Sequence, residues 1–252
     1  MRPNGIAPKD RIVLPLDVPD LETALDLVRR LGPYVGMFKI GLELIYTALA
    51  DMLVKNPDVA LSALQNLREL KRTIGNRLFI DAKLHDIPAT VKGAVKALAR
   101  MDAAWINVHA SAGPRALEAA VANKGTSLLF GVTVLTSHTP EECLSIFGEE
   151  PGEKVLQFAN MLLDSKADGI ICSPKELVEL RRRPQFDNFM IATPGVRPTW
   201  AATNDQKRVM TPGEAIRAGA DYLVIGRPIL DASDKAGAAQ NIAEEIRLAE
   251  AA

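Results

Sequence analysis

The chain of 252 residues is long enough for one large α/β domain or two small ones. Its 48% hydrophobic and 24% charged residues describe a packed globular protein rather than a disordered or fibrous one. A formal net charge of −1 supplies no general attraction for nucleic acid or an anionic membrane, so an anionic ligand must be held by a small local basic site.

The first ten residues, MRPNGIAPKD, read as a flexible segment ahead of residues 11–252, and they contain no apolar run of signal-peptide length. From Arg11 onward, short apolar or β-branched runs recur with helix-patterned segments between them. In order the runs are RIVLPLD, YVGMFKI, LFIDAK, AAWINVHA, SLLFGVTVLT, DGIICS, FMIATPG and DYLVIG. After the first comes LETALDLVRRLG, with Asp20 placed to cap a helix and Gly32 to stop it; after the third comes PATVKGAVKALARM. Eight strand–helix units over this length match a single-domain (β/α)8 barrel. A doubly wound open sheet is the rival, but it calls for a GxGxxG turn after the first strand, and LDVPDLETA has none. Pro15 is out of character for a central strand, because it lacks a ladder donor.

The longest uncharged stretch, roughly 16 residues from Gly125 to Pro140, is too short to span a bilayer. Cys143 and Cys172 have no CxxC spacing and read as packing residues of a cytoplasmic protein. His85, His109 and His138 are scattered singly, so no protein-built metal site is expected.

In such barrels chemistry sits on the loops at the strand ends. Asp17 ends the first run, Lys39 the second, Asp81 and Lys83 the third, His109 the fourth and Thr136 the fifth, while Arg227 follows the eighth. Residues two apart on a strand share a face, so Asp81 and Lys83 project together. Each charge alone reads equally well as an ion pair stabilising the barrel mouth. Four or more on one rim, where burial is costly, point to use.

These residues closely resemble a known family. DAKLHDIPATV is similar to the DxKxxDI motif of the orotidine 5′-monophosphate decarboxylases. LDV around Asp17, KIG around Lys39, INVHA, VTVLTS, TPGVRP, NDQKR and VIGRP follow in the family's order from Arg11 to Pro228. The resemblance implies removal of carbon dioxide from orotidine 5′-monophosphate to give uridine 5′-monophosphate, without metal or organic cofactor. Lys83 is implied as the proton donor to C6. Asp81 would sit beside the departing carboxylate, acting by repulsion or by orienting Lys83. Lys39, Asp81, Lys83 and Asp86 would form an alternating chain of charges. Asp17 and Lys39 would hold the ribose, and Thr136 would lie near the pyrimidine. The family also implies a homodimer in which Asp86, Ile87 and Thr90 reach the partner's site.

For the 5′-phosphate, Arg197, Gln206, Gly226 and Arg227 occupy the expected position after strands seven and eight. The segment from Pro194 to Pro212 is long for such a loop and suits a closing lid, with a plain surface loop as the alternative. His85 is expected to make a local hydrogen bond, and His109 to be a satisfied strand-end histidine. The rival activity is a Mg²⁺-dependent sugar-phosphate decarboxylase or hexulose-phosphate synthase of the same superfamily, with Glu43 as its candidate metal-holding carboxylate. A non-catalytic nucleotide-binding barrel is less compatible with the intact Asp81, Lys83 and Asp86.

Overall fold

The computed structural model describes residues 5–201 and 210–251. Eight parallel strands close into a single barrel in sequence order. They are β1 (Ile12–Pro15), β2 (Met37–Ile40), β3 (Leu78–Leu84), β4 (Trp105–His109), β5 (Leu128–Val132), β6 (Gly169–Ile171), β7 (Met190–Pro194) and β8 (Tyr222–Val224). Each of the eight apolar runs thus becomes a strand, and the (β/α)8 expectation holds.

Side-chain alternation splits the apolar residues into two cores. Val13, Met37, Phe79, Trp105, Phe130, Met190 and Ala192 pack inside the barrel. Their out-of-phase neighbours, among them Leu14, Phe38, Ile80, Ile106 and Leu129, form the larger core under the helices. Trp105 organises the inner cluster: its ring stacks on Phe130 at 4.2 Å and meets Phe79 and Tyr222 edge-on at 5.5 and 4.6 Å. This plug fills the barrel beneath the strand ends.

Helix Leu21–Leu31 starts where the pattern placed it, with the Asp20 carboxylate accepting from the Thr23 N–H, and stops at Gly32. Helix Pro88–Ala99 likewise follows β3. The second and fifth units each carry two helices, Leu42–Leu53 with Pro57–Ile74 and Pro140–Phe147 with Pro151–Asp164. Pro57 and Pro151 restart the chain at first-turn positions, where a missing N–H costs nothing.

Pro15 has a simple account. In a parallel strand, alternate residues bond to opposite neighbours. Val13 accepts from Ile225 on the β8 side and the Leu16 N–H donates to Lys39 on the β2 side, so the nitrogen of Pro15 faces β8. The β1–β8 register ends at Val13, and no ladder bond is lost. Ahead of β1, Pro8–Arg11 form a 3-10 turn, and Arg11 is tied to Glu250 at 2.5 Å and to the Asp221 carbonyl at 2.9 Å. Residues 8–10, expected to be part of a flexible segment, belong to this turn.

Candidate active site

The strand ends surround a cavity of about 320 Å³. It brings together Asp17, Lys39, Asp81, Lys83, Thr136, Arg197, Gly226 and Arg227, eight of the predicted site residues drawn from six of the eight units. Charged groups occupy the wall built by the first three strands. Val132, Val134 and Ile171 supply an apolar wall, and Phe79 links the cavity to the plug below.

Asp81 is the hub of the charged wall and is 5% exposed. Its Oδ2 accepts from Lys83 Nζ at 2.7 Å and lies 2.9 Å from Lys39 Nζ. Lys39, itself buried, also donates to Asp17 at 3.3 Å. Burial works to raise the Asp81 pKa, but the two ammonium groups outweigh it and hold the carboxyl below its ordinary value. The same contest runs oppositely at Lys39: burial lowers its pKa, whereas Asp81 and then Asp17 more than offset this and raise it.

Local geometry sets these contacts. Between Ile80 and Leu84, β3 advances four residues while β4 advances two, a bulge that frees Asp81 and Lys83 from the regular ladder. Lys83 takes φ +47°, a left-handed conformation costing a non-glycine residue roughly 1–3 kcal/mol unless its surroundings hold it. Its N–H donates to Asn107 Oδ1 at 2.8 Å, and Asn107 Nδ2 donates to the other Asp81 oxygen at 2.5 Å. Asn107 has no exposed surface. Sequence reading passed over it, although WINVH carried a usable pattern: Trp105, Asn107 and His109 share a phase, which places an amide inside the barrel.

Gly41, of the KIG motif, is a second residue whose purpose only the structure gives. A Cβ there would come within 2.9 Å of Lys39 Nζ and 3.2 Å of Asp17 Oδ1. Gly226 has a comparable constraint, since a Cβ would approach Pro15 Cγ to 2.8 Å. This close fit to Pro15 is a packing constraint on Gly226 beyond its expected place at the phosphate.

Other predicted residues lie elsewhere. Asp86, Ile87 and Thr90 are exposed and do not line the cavity; Ile87 is 65% exposed. Asp86 accepts from the Ile87 N–H at 2.6 Å and makes no ion pair with Lys83, so within this chain the run of charges ends at Lys83. Gln206 falls outside the described residues, as does the rest of 202–209 within the expected lid. The flanks of that segment are joined by a bridge between Val196 and Met210, with the Arg197 N–H donating to the Met210 carbonyl at 3.0 Å.

His85 is exposed, and instead of a ring hydrogen bond it makes a tilted contact with the His109 ring at 5.6 Å. Burial, then the neighbouring His85 and Lys83, lowers the His109 pKa to about 4, so this imidazole is neutral at physiological pH. Glu43 is exposed on its helix and does not line the cavity. Among the described residues no group of three or more His, Cys, Asp or Glu is placed to hold a metal ion. Both cysteines are buried and unbridged; burial pushes the thiol of Cys172, which lines the cavity, well up, so it stays protonated.

Gly41→Ala tests how tightly the lysine is seated. The added methyl should displace Lys39 Nζ and lower kcat/KM by about tenfold or more, since roughly ångström misplacements in such sites carry effects of up to about 10²-fold. Steady-state kinetics of the folded variant check this, and parental values would show that Lys39 has room to yield.

The model of the orotidine 5′-phosphate decarboxylase / HUMPS family matches residues 10–242. The chain is 42% identical to an orotidine 5′-phosphate decarboxylase of Moorella thermoacetica, covering 95% of this chain and 93% of that protein. It is 41% identical to the corresponding protein of Gloeothece citriformis, over 94% and 97%. Its fold is similar to the crystal structure of orotidine 5′-phosphate decarboxylase from Lactobacillus acidophilus, with TM-score 0.74, 30% identity and coverage of 98% and 99%. With a family match that spans the whole barrel and relatives aligned over nearly their full length, the chain belongs to the orotidine 5′-phosphate decarboxylase / HUMPS family.

Proposed function

We propose that the protein converts orotidine 5′-monophosphate to uridine 5′-monophosphate and carbon dioxide, a step of pyrimidine biosynthesis, without metal or organic cofactor. The observation that carries this reading is the array of Lys39, Asp81 and Lys83 at one end of a cavity whose other side holds Arg197 and Arg227. Breaking the bond from C6 to its carboxylate leaves an electron pair in the ring plane. Lys83 stabilises that charge and then donates a proton from Nζ to C6. Asp81 faces the departing carboxylate and fixes Lys83. Asp17 and Lys39 hold the ribose hydroxyls, Thr136 borders the pyrimidine, and Arg197, Gln206, Gly226 and Arg227 hold the phosphate. Binding energy gathered at the phosphate assists the chemistry at C6.

The Mg²⁺-dependent alternative needs a further carboxylate beside the substrate, and the exposure of Glu43 removes its candidate. The buried, unbridged thiols fit a reducing compartment such as the cytoplasm. No helix among the described residues is long and apolar enough to cross a membrane.

The active unit is a homodimer with shared sites. Asp86, Ile87 and Thr90 stand exposed at the barrel mouth beside a charged wall that they do not complete in their own chain. On the helix after the neighbouring strand, Leu42, Tyr46, Leu49 and Leu53 form an exposed apolar stripe at helical spacing, with Leu53 75% exposed. A second copy covering these surfaces brings its Asp86 to this protomer's Lys83.

Loss of orotidine 5′-monophosphate absorbance, followed with and without a chelator, tests the reaction. Turnover unaffected by chelation is expected; activity abolished by EDTA and restored by Mg²⁺ would defeat the reading. Lys83→Ala should lower kcat by at least about 10³-fold while uridine 5′-monophosphate affinity changes far less. Comparable losses in both would mark a merely structural lysine.

Shared sites make a separate prediction. In a hybrid of Lys83→Ala and Asp86→Ala chains, one site carries both substitutions and the other neither. After full exchange of equal amounts, about a quarter of all sites are intact, so mixing two inactive proteins should restore about that share of parental activity. Exchange demonstrated without any recovery would place Asp86 in its own chain's site.

A further inference from the structure

We infer that Asn107 is the positioning residue of the charged wall: its amide locks the left-handed turn at Lys83 and the orientation of Asp81 as one unit. This rests on the activity proposed above and concerns a side chain that does not line the cavity.

The assignment of the amide atoms follows from the partners. A backbone N–H can only donate, so the atom 2.8 Å from Lys83 N is the oxygen, and the nitrogen must face Asp81 at 2.5 Å. No other neutral side chain of this size donates and accepts in opposite directions from a strand position. Asn107 occupies the gap left by the β3–β4 bulge, where Ile80 pairs with Ile106 and Leu84 with Val108. There the Lys83 N–H has no ladder partner, and Asn107 supplies the missing acceptor from a side chain.

Two consequences are linked through this amide. The bond to Lys83 N holds a residue at φ +47° that would otherwise relax. The bond to Asp81 Oδ1 fixes the carboxylate plane, so that Oδ2 faces Lys83 at 2.7 Å and Lys39 at 2.9 Å. Trp105 lies one pleat below in the fully packed plug, so the amide rests on an immobile floor.

Asn107→Ala removes both bonds, and Asn107→Asp keeps the shape while replacing the donor with an acceptor. The expected result for Asn107→Ala is a kcat lower by about 10- to 100-fold, with KM and uridine 5′-monophosphate affinity within about threefold of the parent. Asn107→Asp sets a carboxyl against Asp81, and one proton is then shared between them. In that protonated form the new group donates to Asp81 and accepts from Lys83 N, as the amide does. Its activity relative to the parent should therefore rise as pH falls through the raised pKa of the pair and fade above it. The charged or titratable groups around the pair are Lys83 on β3, Lys39 on β2, Asp17 after β1 and His109 on β4.

Parental kcat in folded Asn107→Ala, or a pH profile of Asn107→Asp superimposable on the parent's, would overturn the inference. Should Asn107→Ala not fold, the near-isosteric Asn107→Asp decides alone. A parent inactive on orotidine 5′-monophosphate would mark failure of the activity reading instead. The crystal structure of Asn107→Ala, which lacks both bonds, then decides the positioning role: Lys83 leaving the left-handed region supports it, and Lys83 retaining φ near +47° with its Asp81 contact intact refutes it.

Discussion

A single buried carboxylate receives two ammonium groups and one amide, and the barrel mouth is arranged around that convergence. Asp81 takes Lys83 and Lys39 on one oxygen and Asn107 on the other. Desolvating an isolated carboxylate costs several kcal/mol, so this group is tolerable only while its partners stay in place; removing one partner of such a buried pair costs about 3–5 kcal/mol. Replacing the ensemble with apolar residues would serve stability at least as well. Its presence therefore speaks for use, and the use proposed above is a cation held rigidly at a position where negative charge develops.

Linkage gives this hub a defined pH range. Asp81 is held below its ordinary value of 3.8, so its contribution to stability is complete above that pH and is lost as pH falls through the folded value. Lys39 is raised above 10.5, so its contribution is complete below that pH and is lost as pH rises through the folded value. Between those limits the pair keeps one charge state. His109 behaves differently: its folded pKa of about 4 lies below the unfolded 6.5, so the neutral ring favours folding above 6.5 and that contribution is lost as pH falls toward 4.

The fold was legible where one strand or helix decides it. Strand periodicity marked all eight barrel runs, and Asp20 and Gly32 marked both ends of a helix, because each of these features is local. Asp81 and Lys83 were legible as a pair for the same reason. Asn107 was not, because its purpose depends on how far β3 slips against β4, and register between strands is absent from either strand's pattern. The steric demands on Gly41 and Gly226 escaped for a related reason: Gly41 is crowded by the Lys39 side chain and by Asp17 of the first unit, and Gly226 by Pro15, also of the first unit. Pro15 looked out of place until the end of the β1–β8 register showed that its nitrogen faces no ladder partner. Asp86 was expected in the chain of charges, but it is exposed and does not line the cavity of its own chain; no pattern within one strand or helix tells which cavity a side chain reaches.

The central claim, that Asp81 stays ionised in a buried position because Lys39 and Lys83 outweigh its desolvation, is tested most directly by following its side-chain carboxyl carbon by ¹³C NMR during an acid titration of the free protein. The account predicts a midpoint below the ordinary aspartate value of 3.8. A midpoint above that value would show that burial prevails over the ammonium groups, and would contradict it.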